Sequence, residues 1–318
     1  MKRLPSYAEL AEHAVVVSLP MNVRFRGITT REVLLLRGPA GWGEFGAFPE
    51  YDDVESSSWL AAGIEAAYLG QPELIRDVVP VNATVPAIPA EDVAALLTRF
   101  PGATTAKVKV AQEGQTLDDD VARVAAVREH VASVRVDANG KWTVPQAITA
   151  LRALGELEYA EQPCATLEEL AAVRAAVTTP IAADESIRRA EDPLRVIEAK
   201  AADVAILKVA PLGGMRRVLD LAARIPIPVV ISSALDSAVG MSAGVAAAAA
   251  LPVAPAACGL GTGGLFVTDV AEPFVPDGGM VAPRRVEVDI ASVPLASAER
   301  RRWWLDRLRR CHAVLAAG

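Results

Sequence analysis

The sequence is short of several things, and each shortage excludes a class of protein. Its three cysteines, Cys164, Cys258 and Cys311, are scattered, with no CxxC pair. That odd set argues against a disulfide framework and a thiolate zinc centre, and it fits a reducing compartment. Aromatic residues make up 5% of 318, and the net charge is −7. A nucleic-acid surface wants a basic field and stacking rings, and this composition offers neither. Long apolar runs are scarce too. Positions 237–268 carry no charge, but they are rich in Ala and Gly and broken by Pro252 and Pro255. A membrane span prefers continuous Leu, Ile, Val and Phe. Glu9, Glu12 and His13 interrupt any apolar segment near the start, so no signal peptide is expected. These absences predict a cytoplasmic protein with no membrane span and no nucleic-acid partner.

What is present describes an ordinary globular chain, 52% hydrophobic and 22% charged. Its length favours one large α/β unit or two domains. From about residue 80, short apolar runs alternate with stretches of helical period. Strands are predicted at 81–85, 106–110, 133–137, 157–161, 181–184, 204–208 and 229–232, with a weaker one at 255–259. Helices are predicted at 118–130, 166–177 and 214–224, the second opened by the capping box of Thr166 and Glu169. Strands alternating with helices imply parallel pairing through right-handed crossovers. Eight at a steady repeat suggest a closed TIM-type barrel, with an open doubly wound sheet as the alternative.

Residues 1–80 read differently. AVVVSLP, TTREVLLLRG and GWGEFGAF look like antiparallel strands, and SSSWLAAGIEAAYLG like a helix. The expected division is an α+β cap over 1–80, a barrel over 81–275, and a tail over 276–318 that returns to the cap. Six arginines and two tryptophans in ERRRWWLDRLRR are read as an amphipathic helix burying Trp304, Leu305 and Leu308, with its arginines in solvent.

The chemistry lies in the spacing of the polar residues that close the apolar runs. Asp137 precedes Glu161 by 24 positions, Glu161 precedes Asp184 by 23, and Asp184 precedes Lys208 by 24. One strand–helix unit of a barrel needs about that many residues, so a polar group recurs at successive carboxyl ends, where barrel active sites are built. A lone Asp after a strand is usually a surface residue. Three in register would repel strongly unless a cation joined them. All-oxygen ligation suits Mg²⁺, Mn²⁺ fits the same donors, and zinc is disfavoured because no histidine or thiolate lies near the set. Lys107 and Lys109 stand two apart in AKVKV and therefore face the same way. A lysine inside a barrel is costly and, when desolvated, a usable base. Lys208 closes a strand roughly opposite. A base beside a metal can remove a proton α to a carboxylate and stabilise the enediolate.

At these residues the sequence resembles the enolase superfamily, in its muconate-lactonising-type subgroup. The matching stretches are TAKVKV, RVDANGKW, EYAEQP, IAADES and VAILKVAPLGG. The resemblance implies a modified TIM (β/α) barrel with an α+β capping domain formed by the N-terminal region and the C-terminal tail. It implies Asp137, Glu161 and Asp184 as Mg²⁺ ligands, Lys109 and Lys208 as the acid/base pair, and Glu185 as a partner behind the ligands. His13, His130 and His312 fall at no strand end, which speaks against a mandelate-racemase-like His–Asp pair. Within the subgroup, MNVRFRGITTRE, GPAGWGEFGAFPEY, ISSALDSAVG and ACGLGTGGLF look like the o-succinylbenzoate synthase family, particularly its actinobacterial type. That likeness implies dehydration of a small carboxylate substrate, 2-succinyl-6-hydroxy-2,4-cyclohexadiene-1-carboxylate, in menaquinone biosynthesis.

Other residues are expected to touch substrate: Lys107, Asn139, Ser232, Ser233, Gly259 and Gly261, together with one of Arg24, Arg26 and Arg31. The glycines of GLGTGG match GxGxxG, but they stand at the last strand rather than the first, which excludes a dinucleotide fold. Asp236 is read as a helix N-cap, with a pocket residue as the alternative. The rival activity is an N-succinylamino-acid racemase or dipeptide epimerase using the same lysines and metal. The epimerase is disfavoured because no acid occurs between Asp236 and Asp269. A catalytically silent barrel serving as a scaffold is the rival of another class, and the intact lysines argue against it. Either a monomer or a small homo-oligomer fits the sequence.

Overall fold

In the computed structural model, which describes residues 3–189 and 193–317, an antiparallel sheet leads into a parallel one. The first sheet comprises β1 (Val15–Phe25), β2 (Ile28–Gly38) and β3 (Gly41–Phe45), followed by the helix Asp53–Leu69. Asp52 caps that helix by accepting from the Glu55 N–H at 2.8 Å. It therefore starts three residues ahead of the serine run at which the sequence suggested it would begin. Glycine is required where this helix meets β3: a Cβ on Gly43 would stand 1.9 Å from the Gly63 carbonyl oxygen.

A two-residue strand β4 (Val79–Pro80) precedes the main sheet. This sheet contains β5 (Ala83–Val85), β6 (Thr105–Lys109), β7 (Ser133–Asp137), β8 (Tyr159–Glu161), β9 (Ile181–Ala183), β10 (Val204–Leu207) and β11 (Val229–Ile231). All seven pair in parallel and in chain order. β12 (Met280–Val281) pairs antiparallel with β4. The weak eighth strand does not form as a run. Cys258 bridges Val81 and Gly259 bridges Ser232, both in parallel. Four backbone hydrogen bonds at Asn82, Ser233, Cys258 and Gly259, of 2.7–2.9 Å, close the barrel there. The stretch before it holds Pro255 and three alanines, with little to pack on a pleated surface. Gly259 also has to be glycine, since a Cβ would lie 2.3 Å from the Ser232 hydroxyl oxygen.

Alternation along the strands sorts the core into two parts. Val108, Val136, Ala160, Leu207 and Ile231 belong to the large apolar cluster shared with the helices. Tyr159, Ala182, Ile206 and Val230 form a separate small cluster. Arg135 lies over the Tyr159 ring at 4.6 Å and is fully buried. It is satisfied by Glu158 at 2.6 and 2.9 Å, by Asn82 at 3.2 Å and by the Ala257 carbonyl.

The chain ends in the helix Ala298–Ala317, which packs on the helix Asp53–Leu69. Trp304, Leu308 and Cys311 are buried and Leu305 is half-buried. One arginine departs from the expected solvent face. Arg307 is 1% exposed and donates to the carbonyls of Ala47, Phe48 and Tyr51 and to the Ser56 hydroxyl. No helix among the described residues is long and apolar enough to cross a membrane.

Candidate active site

Residues two apart on one strand share a face, so the layer above the small Tyr159 cluster is made of the polar residues that end each strand. Asp137 lies two beyond Arg135, Glu161 two beyond Tyr159, Lys208 two beyond Ile206, and Ser232 two beyond Val230. The register pairs Lys109 with Asp137 and Asp137 with Glu161. Asp137, Glu161 and Asp184 are no more than 1% exposed. Each is met by cations. Lys109 Nζ donates to Asp137 at 2.5 Å, and Lys107 Nζ to both Glu161 oxygens at 2.7 and 2.9 Å. Lys208 Nζ donates to Asp184 at 2.5 Å and Arg188 Nε to its other oxygen at 3.1 Å. Among the described residues no three acidic, histidine or cysteine side chains form a ready-made cation cage; ammonium and guanidinium groups sit on the carboxylate oxygens instead.

The electrostatics follow from burial and crowding. Burial, reinforced by Asp137, pushes Glu161 up to about 7. Burial would raise Asp137 as well, but the ammonium groups of Lys109 and Lys107 hold it well below the usual carboxylate range. Asp184 is likewise lowered against its burial by Lys208 and Arg188. The two lysines of β6 diverge. Burial pulls both down, but Glu161 and Asp137 lift Lys107 above the ordinary lysine value, whereas Lys109 stays below it. Two neighbouring lysines thus carry different tendencies to give up a proton.

Above these groups lies a narrow cavity between the cap and the barrel. The cap contributes Phe25, whose ring centroid is 5.4 Å from Lys109 Nζ, and Arg26 at the turn between β1 and β2. The barrel contributes Lys107, Lys109, Asn139, Lys208, Ser232, Ser233 and Gly259. Asn139 sits at φ 49°, a left-handed conformation uncommon outside glycine. Its side chain accepts from Lys109 Nζ at 2.8 Å and donates to Glu185 at 3.2 Å. A second recess, beside Trp42 and Glu287, lies away from Lys109, Lys208 and the three buried carboxylates.

Residues 91–287 match the family described as enolase C-terminal domain-like, and residues 16–67 that described as enolase N-terminal domain-like. A protein of Mycolicibacterium smegmatis named o-succinylbenzoate synthase is 62% identical over 317 residues, covering 98% of this chain and 99% of its own. The chain belongs to the o-succinylbenzoate synthase family. A Mycobacterium tuberculosis protein of the same name is 60% identical, covering 98% of this chain and 97% of its own. The fold is that of a muconate lactonizing enzyme from Pseudomonas fluorescens, solved in complex with muconolactone, with a TM-score of 0.73 at 23% identity, over 92% of this chain and 97% of that one. Membership makes the chain an enzyme of the enolase superfamily, of the hydro-lyase type.

Within this family member, two expectations change and a third narrows. Gly261 does not line the cavity: its missing Cβ would meet the Asn82 carbonyl at 2.8 Å and the Phe100 ring. Arg31, on β2, is buried and bonded to the carbonyls of Leu235 and Gly46, and Arg24 donates to the Gly27 carbonyl. Of the three arginines, Arg26 alone borders the cavity. Asp236 is not the cap of the helix Ala238–Ala250. Ser237 is, and Asp236 accepts from the Ala234 N–H instead.

The residue that sequence reasoning missed is Arg188. It borders the cavity and binds Asp184, Glu185 at 2.8 Å and the Tyr51 hydroxyl at 3.2 Å. Its spacing from Asp184 is four residues, and in the short helix Glu185–Arg188 side chains at i and i+4 meet.

Proposed function

We propose that this enzyme dehydrates 2-succinyl-6-hydroxy-2,4-cyclohexadiene-1-carboxylate to o-succinylbenzoate, with Lys109 as the base. The observation that carries the reading is the pairing of Lys109 and Lys208 across three buried carboxylates beneath one cavity. Asp137, Glu161 and Asp184 would hold a divalent cation, Mg²⁺ or Mn²⁺. The donor set fits one, because it is all oxygen and already draws four cationic groups, and because crowding raises Glu161. Such an ion would supply positive charge beside the substrate carboxylate as the α proton leaves.

Lys109, in its neutral form, takes the α proton. Its depressed proton affinity favours that form. The cationic Lys208 offsets the negative charge left on the carboxylate. The ammonium of Lys109 then returns its proton to the departing hydroxyl, water leaves, and the ring becomes aromatic. Ser232, Ser233 and the backbone at Gly259 bound the side of the cavity suited to the succinyl carboxylate, and Asn139 and Glu185 hold Lys109 in line. Residues 1–80 with 276–318 act as the cap and 81–275 as the barrel, in a cytoplasmic monomer or small homo-oligomer serving menaquinone biosynthesis.

The test is the purified protein with Mg²⁺ and the cyclohexadiene, followed by ultraviolet absorbance. Lys109→Ala should lose about 10²–10⁴-fold in kcat, the usual contribution of a general base. Wild-type turnover in that variant would reject Lys109 as the base. Exhaustive chelation should abolish activity and added Mg²⁺ restore it; activity unaffected by chelation would reject the cation. N-Succinylamino acids run in parallel test the racemase alternative.

A further inference from the structure

The last residue of β6 is Lys109, and just past it the chain leaves the sheet. Ala111 stands at φ 59°, a left-handed conformation that an alanine holds only when its surroundings enforce it. The enforcing groups come from the helix Leu117–Arg128, outside the cavity. Arg123 Nη1 donates to the Lys109 carbonyl at 2.9 Å, and the Ala111 N–H donates to Asp120 Oδ2 at 2.9 Å. The two side chains are themselves joined, Arg123 Nη1 to Asp120 Oδ1 at 2.8 Å.

One ion pair therefore grips the peptide groups on both sides of Val110. It is sealed from solvent, with side chains 1% and 4% exposed. The same guanidinium donates to the Ile88 carbonyl at 2.5 Å and to Gln115 at 2.6 Å, while Gln115 donates to the Ala87 carbonyl at 3.0 Å. The segment after β5 is thereby tied to the end of β6. A pair kept only for packing would not need to direct its bonds onto the backbone of the lysine-bearing strand, and buried ion pairs add little stability on their own account.

We propose that Arg123 and Asp120 are positioning residues for the reaction: by pinning the backbone on either side of Val110 they fix where Lys109 Nζ stands over the cavity. This rests on the reading of Lys109 as the base. A misplacement of about 1 Å can cost about 10²-fold in rate, so the effect belongs in kcat.

The experiment compares Arg123→Met, Asp120→Asn and Arg123→Lys with wild type in the full chain, with Mg²⁺ and the cyclohexadiene. Leu308→Ala, in the C-terminal helix, serves as a control for lost stability. Arg123→Met should lower kcat about 10–100-fold and leave KM within about two-fold. Without substrate or metal, amide exchange should quicken in residues 105–115 but not in 204–208. Arg123→Lys, with a single nitrogen to share, should recover part of the rate, and Leu308→Ala should keep kcat. Folded Arg123→Met with wild-type kcat overturns the proposal, as does an equal loss of kcat in Leu308→Ala. If Arg123→Met does not fold, Asp120→Asn carries the same two outcomes. An inactive Lys109→Ala beside a fully active Arg123→Met refutes the positioning role alone; an active Lys109→Ala refutes the base itself.

Discussion

Replacing Arg307 with methionine keeps most of the stem volume and removes the guanidinium that ties the C-terminal helix to the cap. The loss can be worked from its bonds. Arg307 Nη1 donates to the Ala47 carbonyl at 3.1 Å; Nη2 reaches the carbonyls of Phe48 at 2.8 Å and Tyr51 at 2.7 Å and the Ser56 hydroxyl at 2.7 Å. Ala47 and Phe48 are at most 2% exposed and Tyr51 8%, so three carbonyls lose a partner where water is scarce. Each orphaned group costs about 1–3 kcal/mol. Burial also pulls Arg307 below its ordinary value, and removing a charge that dislikes its site returns part of that loss. A net of about 3 kcal/mol is a fair balance of these effects. Unfolding entropy of about 2.1 cal/mol/K per residue, over a chain of 318, converts this to a fall of roughly 4–5 °C. Differential scanning calorimetry reads it directly. Arg307→Lys should fall between the two, because one ammonium cannot reach all four acceptors. A midpoint within about 1 °C of wild type would refute the assignment of Arg307 as the latch.

Two further outcomes follow from the cap. Glu44 accepts from the Ser237 N–H at 3.0 Å and from Gly240 at 3.3 Å, and burial, then Asp236, push it up to about 8 from 4.5. The folded chain thus keeps a proton that the unfolded chain has released, so this residue makes stability fall as pH rises from about 4.5 to about 8, by a few kcal/mol at most. Glu44→Gln should flatten that slope in melts taken across the window, and an unchanged slope would contradict it. Tyr51 accepts at its hydroxyl from Arg26 and Arg188, both at 3.2 Å, while its ring stays on Phe48 and Trp59. Tyr51→Phe should leave the melting point nearly in place and raise KM several-fold as Arg26 loosens over the cavity; an unchanged KM would count against it.

The strands that carry chemistry were the easiest part of the fold to read. The run 133–137 coincides with β7, because β-branched residues alternate there with the inward Arg135 and Asp137. The same period of two is what makes Lys107 and Lys109 a pair. Closure of the barrel was harder, since Cys258 and Gly259 hold the seam by backbone bonds that leave no pattern of side chains. Arginines were the least legible. Their long stems let Arg31, Arg123, Arg135 and Arg307 run inward to backbone carbonyls, and no local signal separates these from solvated ones. Which arginine borders the cavity depends on how the β1–β2 turn folds over the barrel, a contact between segments far apart in sequence.

The Arg307 latch also sets an order of events at the ribosome. Its partner Phe48 precedes it by 259 residues, and at about 5–20 residues per second the interval between the two is roughly 13–50 s. Throughout that time the first sheet and its helix are made but lack the surface that finishes them. Phe45, which ends up buried with its ring against Trp304, spends it without that helix. The first sheet and its helix thus wait with an open apolar face until the helix Ala298–Ala317 arrives to seal it.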